Sequence, residues 1–203
     1  MNVTFNNFIA VYNNVYPEGF CDFLISAEEK ARKLNLLYNR KDSENAPRHK
    51  KEDHHFNGFQ YYLDAMPVDN MFQGQFVPNI FIHHFKEALD IYLDKYSVLR
   101  EYSLSIEGMK HQIISSGGGY HVWHYERAPQ PYTNRRVLTF ILYLNTLPVE
   151  NNGDTEFLYQ ELKLQPVENQ LVIFPAEFTH PHRGNPVYKG GVKHIITGWV
   201  NYE

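Results

Sequence analysis

A chain of 203 residues is long enough for one well-buried domain and too short for two comfortable ones. Its 43% hydrophobic and 21% charged content is ordinary for a globular protein, and a net charge of −4 gives no general electrostatic reason to bind nucleic acid or an anionic membrane. The single cysteine, Cys21, excludes an internal disulfide and fits a reducing, cytoplasmic compartment, and neither a leader pattern nor an apolar run near ~18 residues is present, so a soluble protein is expected.

Residues 1–100 read as a mostly helical flanking region. Pro17 suits a first helical position, and Phe20, Phe23, Leu24, Ala27, Ala31 and Leu34 then recur on one face to about Leu37. Cys21 falls on this helix as a buried apolar residue. Asn39–Asp53 is polar, contains Pro47 and lacks periodicity, which predicts a loop and makes it a candidate lid. A second helix is expected from Pro78 to Leu99, where Ile82, Phe85, Leu89, Tyr92, Tyr96 and Leu99 alternate at steps of three and four. From Glu101 onward, short β-branched and aromatic runs broken by Gly, Asn and Pro predict strands near 109–116, 120–126, 136–145, 154–160, 161–166, 169–174, 180–185 and 192–201. Eight antiparallel strands in two facing sheets make a jelly roll, so the fold class is mainly β with flanking helices, in a single domain over 1–203.

The chemistry concentrates in His124-Tyr125-Glu126 and in the tail after Phe178. A His-x-acid triplet is weak alone, and its bland reading is a surface ion pair. On a strand, however, residues two apart point to the same face and can grip one ion. A second imidazole comes from His182 or His180, which share a face of the expected 180–185 strand. Two imidazoles and one carboxylate leave open positions on a metal, which suits Fe(II), whereas structural zinc closes them. Downstream, Lys193, Ile195, Thr197 and Trp199 share one strand face, as do Thr139, Ile141 and Tyr143, and both sets can point inward. Lys193, flanked by Val192 and Ile195-Ile196, would need a buried anion.

The order Leu171-Val172-Ile173-Phe174-Pro175, His180-Pro181-His182, Pro186-Val187, Lys193 and Trp199 resembles the 2-oxoglutarate and Fe(II) dependent dioxygenases, in their prolyl 4-hydroxylase-like branch. Gly118-Gly119-Tyr120, Leu138–Asn145 and Asn152-Gly153-Asp154-Thr155-Glu156-Phe157 extend the resemblance over Met109 to Val200. It implies a cupin-like double-stranded β-helix with iron held by His124, Glu126 and His182. His182 is favoured over His180 because Pro186 follows it by four residues. The resemblance further implies 2-oxoglutarate as co-substrate, its far carboxylate paired with Lys193 and hydrogen-bonded by Tyr143 or Thr197. Dioxygen is the oxidant, and ascorbate is allowed as an accessory reductant. The implied reaction hydroxylates a prolyl or other residue of a peptide or protein, releasing succinate and CO2. A free amino acid or other small metabolite is the alternative substrate, and a non-catalytic metal-binding module the alternative class.

Three features depart from the family pattern. Glu126 replaces the commoner aspartate, lysine stands where arginine is frequent, and the turn Lys189-Gly190-Gly191 is longer than usual. Tyr120, His121, Trp123 and Arg127 surround the ligand strand and are candidates for the mouth. Asn39–Asp53 and Arg127–Arg136 are candidate clamps for a substrate chain. His54, His55, His83, His84, His111 and His194 have no partner at ligand spacing and are read as structural.

Overall fold

The computed structural model describes residues 1–40, 50–62 and 71–203. Its strands are β1 (Asn2–Asn6), β2 (Ile9–Asn13), β3 (Tyr38–Asn39), β4 (Lys51–Glu52), β5 (His54–Asn57), β6 (Leu104–Ser115), β7 (Gly119–His124), β8 (Arg136–Tyr143), β9 (Thr155–Phe157), β10 (Leu162–Leu164), β11 (Gln170–Pro175), β12 (His182–Gly184) and β13 (Val192–Tyr202). An eight-stranded sheet runs β1-β2-β11-β8-β13-β6-β5-β3 and a five-stranded sheet runs β10-β9-β12-β7-β4. All pairings are antiparallel, and the two sheets form the expected jelly roll. Each of the eight strands expected after Glu101 is present, with its ends shifted by a few residues.

The amino-terminal half adds strands to its helices. It contributes five strands, and the β1–β2 hairpin extends the large sheet by pairing β2 with β11. Asn7 and Phe8 form its two-residue turn at φ 45° and 66°, the left-handed pair that matches the twist of flanking strands. Helix α1 spans Phe20–Lys33, starting three residues after Pro17, with Gly19 at φ 78° as its N-cap. A single helical turn, α2, follows at Gly58–Gln60. Helix α3 spans Met71–Lys95, so Pro78 lies within it rather than opening it. A proline removes one hydrogen bond from a helix, and the sequence rule therefore reads it as a boundary. Of the candidate lid, residues 41–49 lie outside the described residues; β3 and β4 flank them.

The large sheet is two-faced. One set of side chains, including Phe140, Leu142, Ile173, Ile196 and Val200, packs with Leu24, Ala27, Phe81 and Phe85 of the helices. The alternate set, Ile141, Tyr143, Val172, Phe174 and Ile195, packs inward with Phe157 and Val187. Period-two alternation thus assigns helices to the outer face and a cavity to the inner one.

Strands β6, β13 and β8 crowd together at Gly198, where the β6–β13 register shifts between Thr197 and Trp199. A Cβ there would enter the Phe140 ring and lie 2.5 Å from the Gly108 carbonyl oxygen. Overpacking at so tight a crossing typically costs about 1–3 kcal/mol. Gly198→Ala is expected to lower the melting temperature by roughly 3–10 °C, measured by calorimetry; an unchanged value would show that the strands separate freely at this point.

Candidate active site

Three potential ligand atoms converge between the sheets. Nε2 of His124 lies 3.5 Å and Nε2 of His182 lies 3.9 Å from Oε1 of Glu126, and the three groups lie within 4.8 Å of one another. His124 ends β7 and pairs directly with His182, which opens β12, so the ladder sets the two imidazoles side by side. Glu126 lies beyond the end of β7 rather than on the expected strand. Its backbone N–H and that of Arg127 both donate to the carbonyl of Ala176, which turns the chain toward the site. His180 lies in the bend before β12, not on it. Its ring bonds Thr179 and the carbonyl of Asn7, away from the cluster.

The hydrogen bonds fix the chemistry of each ligand atom. Nδ1 of His124 faces the carbonyl of Val122 at 3.0 Å, and Nδ1 of His182 faces that of His180 at 3.1 Å. A carbonyl only accepts, so both Nδ1 atoms carry a proton, and both Nε2 atoms face Oε1 of Glu126. Burial, with His124 beside it, pushes the His182 imidazole down to about 3, so it is neutral at physiological pH. Burial works to raise the Glu126 carboxyl, but the hydrogen bond and charge of His124, together with His182 and Arg136, hold it well below the usual carboxylate range. Its other oxygen, Oε2, accepts from Arg136 at 2.9 Å and from the Trp199 indole at 3.1 Å. The Arg136 guanidinium in turn stacks 3.6 Å over the Trp199 ring.

One cavity of about 280 Å³ opens onto these three side chains. At one end, buried Lys193 donates 2.7 Å to the carbonyl of Gly153 and lies 5.3 Å from the centre of the Tyr143 ring. No carboxylate among the described residues pairs with it, and burial pushes its ammonium down to about 8. Tyr143, fully buried, donates to Thr155 at 2.7 Å, and Thr155 lines the cavity. Ile114, Ile141 and Ile195 supply apolar walls. Thr197 also lines the cavity, but its hydroxyl donates to Gln112 at 2.8 Å rather than turning toward Lys193.

Several neighbours escaped sequence reasoning. Thr155 belongs to the recognised Asn152–Phe157 run, and its hydroxyl role could have been read there. Arg40, Lys51, Asp53, Lys110 and Gln112 also line the cavity, although the first three are distant in sequence from His124, Glu126 and His182. Of the expected mouth residues, Tyr120 stacks on His124 with ring centres 3.5 Å apart. Trp123 instead lies under Arg183, and Arg127 pairs with Glu177. Of the remaining histidines, His111 and His194 both bond buried Glu28, far away in the chain, and His55 bonds Asp53 two residues before it. His83 and His84 meet Glu87 on the exposed face of α3.

Residues 109–201 match the family model of the 2OG-Fe(II) oxygenase superfamily. The chain carries a 2OG-Fe(II) oxygenase domain. Solved structures agree in fold over nearly the whole chain. A viral collagen prolyl hydroxylase from Paramecium bursaria Chlorella virus-1, in complex with 2OG, is 17% identical with a TM-score of 0.66, covering 98% of each chain. A Trichoplax adhaerens prolyl hydroxylase, in complex with a hypoxia inducible factor peptide fragment, is 17% identical with a TM-score of 0.71, covering 97% of this chain and 84% of that one. A Pseudomonas putida prolyl-4-hydroxylase is 18% identical with a TM-score of 0.70, covering 97% and 93%. No match was found among curated proteins.

This domain uses Fe(II), 2-oxoglutarate and dioxygen, as a dioxygenase of its superfamily does. The donor set fits the metal: two imidazole nitrogens and an ionised carboxylate can offer three lone pairs, at separations of the order that bonds of ~2.1 Å require. A buried ammonium without a carboxylate partner fits one end of a dicarboxylate. Groups that hold a ligand carboxylate in place typically contribute about 10–100-fold to metal affinity. Arg136→Met is therefore expected to weaken Mn(II) or Fe(II) binding by that factor in an anaerobic titration, and an unchanged affinity would show that Trp199 alone orients Glu126.

Proposed function

We propose that this oxygenase hydroxylates a prolyl or other residue within a peptide or protein, with His124, Glu126 and His182 as the iron ligands and Lys193 as the anchor of 2-oxoglutarate. The convergence of these four side chains on one cavity carries the reading. When bound, iron(II) together with 2-oxoglutarate and dioxygen supplies the oxidation that turns C–H into C–OH, with succinate and CO2 released. The protein's own residues position and seal that chemistry.

His124 and His182 offer Nε2 because their Nδ1 protons are engaged by backbone carbonyls. Glu126 offers Oε1 because Arg136 and Trp199 hold Oε2. Lys193 pairs with the far carboxylate of the co-substrate. Tyr143 and Thr155, already linked, present hydroxyls near that ammonium, and Thr197 supports the opposite side through Gln112. The isoleucines keep water from the reacting centre. A cytoplasmic location belongs to this reading, since a reducing compartment keeps iron as Fe(II) and Cys21 as a thiol.

The peptide substrate is supported by the fold likeness to a prolyl hydroxylase bound to a peptide fragment. A second reading, oxidation of a free amino acid or small metabolite, is favoured by the modest cavity of about 280 Å³. A metal-pinned binding module has no need of a buried unpaired ammonium, so Lys193 speaks against it.

Succinate release should require Fe(II) and oxygen, and Lys193→Met should weaken 2-oxoglutarate binding by roughly 30-fold to several thousand-fold, the equivalent of about 2–5 kcal/mol for a carboxylate left unpaired in a buried site. Free Lys193 is protonated below about 8. Wild-type affinity should thus fall as pH rises through that value, and the variant should lose this dependence; equal affinities for the two proteins would move the co-substrate pocket elsewhere. For the metal, His182→Ala should abolish iron-dependent turnover while His180→Ala retains a measurable fraction. Turnover surviving the first change and lost with the second would reverse the assignment.

A further inference from the structure

The end of the cavity opposite Lys193 carries charge that the iron and 2-oxoglutarate do not use. Arg40, Lys51 and Lys110 line it together with a single carboxylate, Asp53. Asp53 is 2% exposed. Its Oδ1 lies 3.4 Å from Arg40 Nε and 3.2 Å from His55 Nδ1, and its Oδ2 lies 3.4 Å from Lys51 Nζ and 2.5 Å from Gln112 Nε2. Asp53 is therefore fully engaged, and Lys110 has no carboxylate within ion-pair distance among the described residues. The remaining nearby anion, Glu126, is held by Arg136, Trp199 and the two imidazoles.

This wall is built rather than incidental. Thr197 donates to the Gln112 carbonyl oxygen, which turns the Gln112 amide N–H toward Asp53. Two strand ladders deliver the cations: β4 sets Lys51 opposite Tyr120, and β6 sets Lys110 opposite Asn57 of β5. The Lys51 ammonium sits 4.5 Å over the Tyr120 ring, whose other face stacks on His124. An anion at Lys51 is therefore one aromatic ring away from a metal ligand. Along β13, Lys193 pairs with Ile114 and Thr197 pairs with Lys110. Four strand residues separate the two ends, ~13 Å at the backbone, so one bound dicarboxylate at Lys193 leaves the second cationic end for another molecule. Burial, with Lys51 beside it, pushes the Lys110 amine down to about 6, and an anion that joins the two favours the protonated form.

Resting on the oxygenase reading above, we propose that the substrate carries a carboxylate that pairs with Lys51 and Lys110, flanked by Arg40, and that oxidation falls on a carbon close to this group. A free amino acid and an acidic residue in a peptide present the same chemistry. Binding can be read without turnover, by calorimetry on the anaerobic protein loaded with Mn(II) and 2-oxoglutarate. The probes are the free amino acids against their amides, and capped peptides with Glu or Asp beside a central residue against their Gln or Asn counterparts.

The expected result is that at least one acid binds about 10- to 100-fold tighter than its amide, and that the preference collapses in Lys110→Met and in Lys51→Met variants that melt as the wild type does. A preference confined to free amino acids names a metabolite substrate, and one confined to peptides names a protein substrate. Amides binding as well as acids, no probe binding, or a preference intact in both variants would overturn the proposal. So would a loss of 2-oxoglutarate affinity in Lys110→Met equal to that in Lys193→Met, which would assign the wall to the co-substrate. Retained 2-oxoglutarate binding by the wild type with no acid preference sinks this inference alone, whereas failure of the wild type to bind 2-oxoglutarate sinks the reading beneath it.

Discussion

The site depends on how one carboxylate is divided. Oε1 of Glu126 faces the two imidazoles of the five-stranded sheet, while Oε2 is held by Arg136 of β8 and Trp199 of β13 in the eight-stranded sheet. Glu126 is therefore the point at which the two sheets meet chemically. A largely buried carboxylate stripped of its partners is costly, typically by several kcal/mol, so each sheet stabilises the position of the other through it. The stack of Arg136 on Trp199 adds a planar support that a lysine at 136 could not reproduce.

The same two strands build much of the rest of the cavity. Along β13 and β8, alternate residues pack into the helices and into the cavity, so one backbone serves both faces. Lys193 is the sharpest case. It lies between Val192 and His194 and pairs with Ile114 of β6, which sets its long side chain on the cavity face of β13. Among the described residues the ammonium finds only the Gly153 carbonyl as hydrogen-bond partner, and Gly153 itself occupies a left-handed turn at φ 83° against Leu147 and Val187. A side chain at 153 would displace those apolar neighbours and with them the acceptor.

The later half of the chain was legible because its signals are local. Alternation over five to ten residues marked the strands from β6 to β13, and the two-residue separation of His124 and Glu126 carried chemistry that needs no knowledge of distant contacts. What escaped was set by pairing across the chain. Arg136 sits ten residues after Glu126, beyond any strand period, and reaches it only because the intervening segment folds back. Lys51 reaches the cavity through a two-residue strand, too short to show alternation. Glu28, on α1, joins His111 and His194 from opposite ends of the sequence, a pairing that only the packing of α1 on β6 and β13 creates. The β1–β2 hairpin is a different kind of omission, since its Asn-rich turn was a local signal outweighed by the helical pattern that follows it.

The glutamate at 126 has a physical explanation in this arrangement. An aspartate on the same backbone would draw both oxygens back by one carbon–carbon bond, ~1.5 Å. Glu126 lies past the end of β7, anchored through its N–H to Ala176, so the backbone cannot advance to compensate. An aspartate that kept contact with the imidazoles would lose the Trp199 indole and weaken its hold on Arg136, and one that kept those partners would retreat from the metal position. The extra methylene lets one carboxylate span both sheets, and Arg136 and Trp199 are the partners that restrict the added rotamer freedom to the arrangement in which Oε1 faces the histidines.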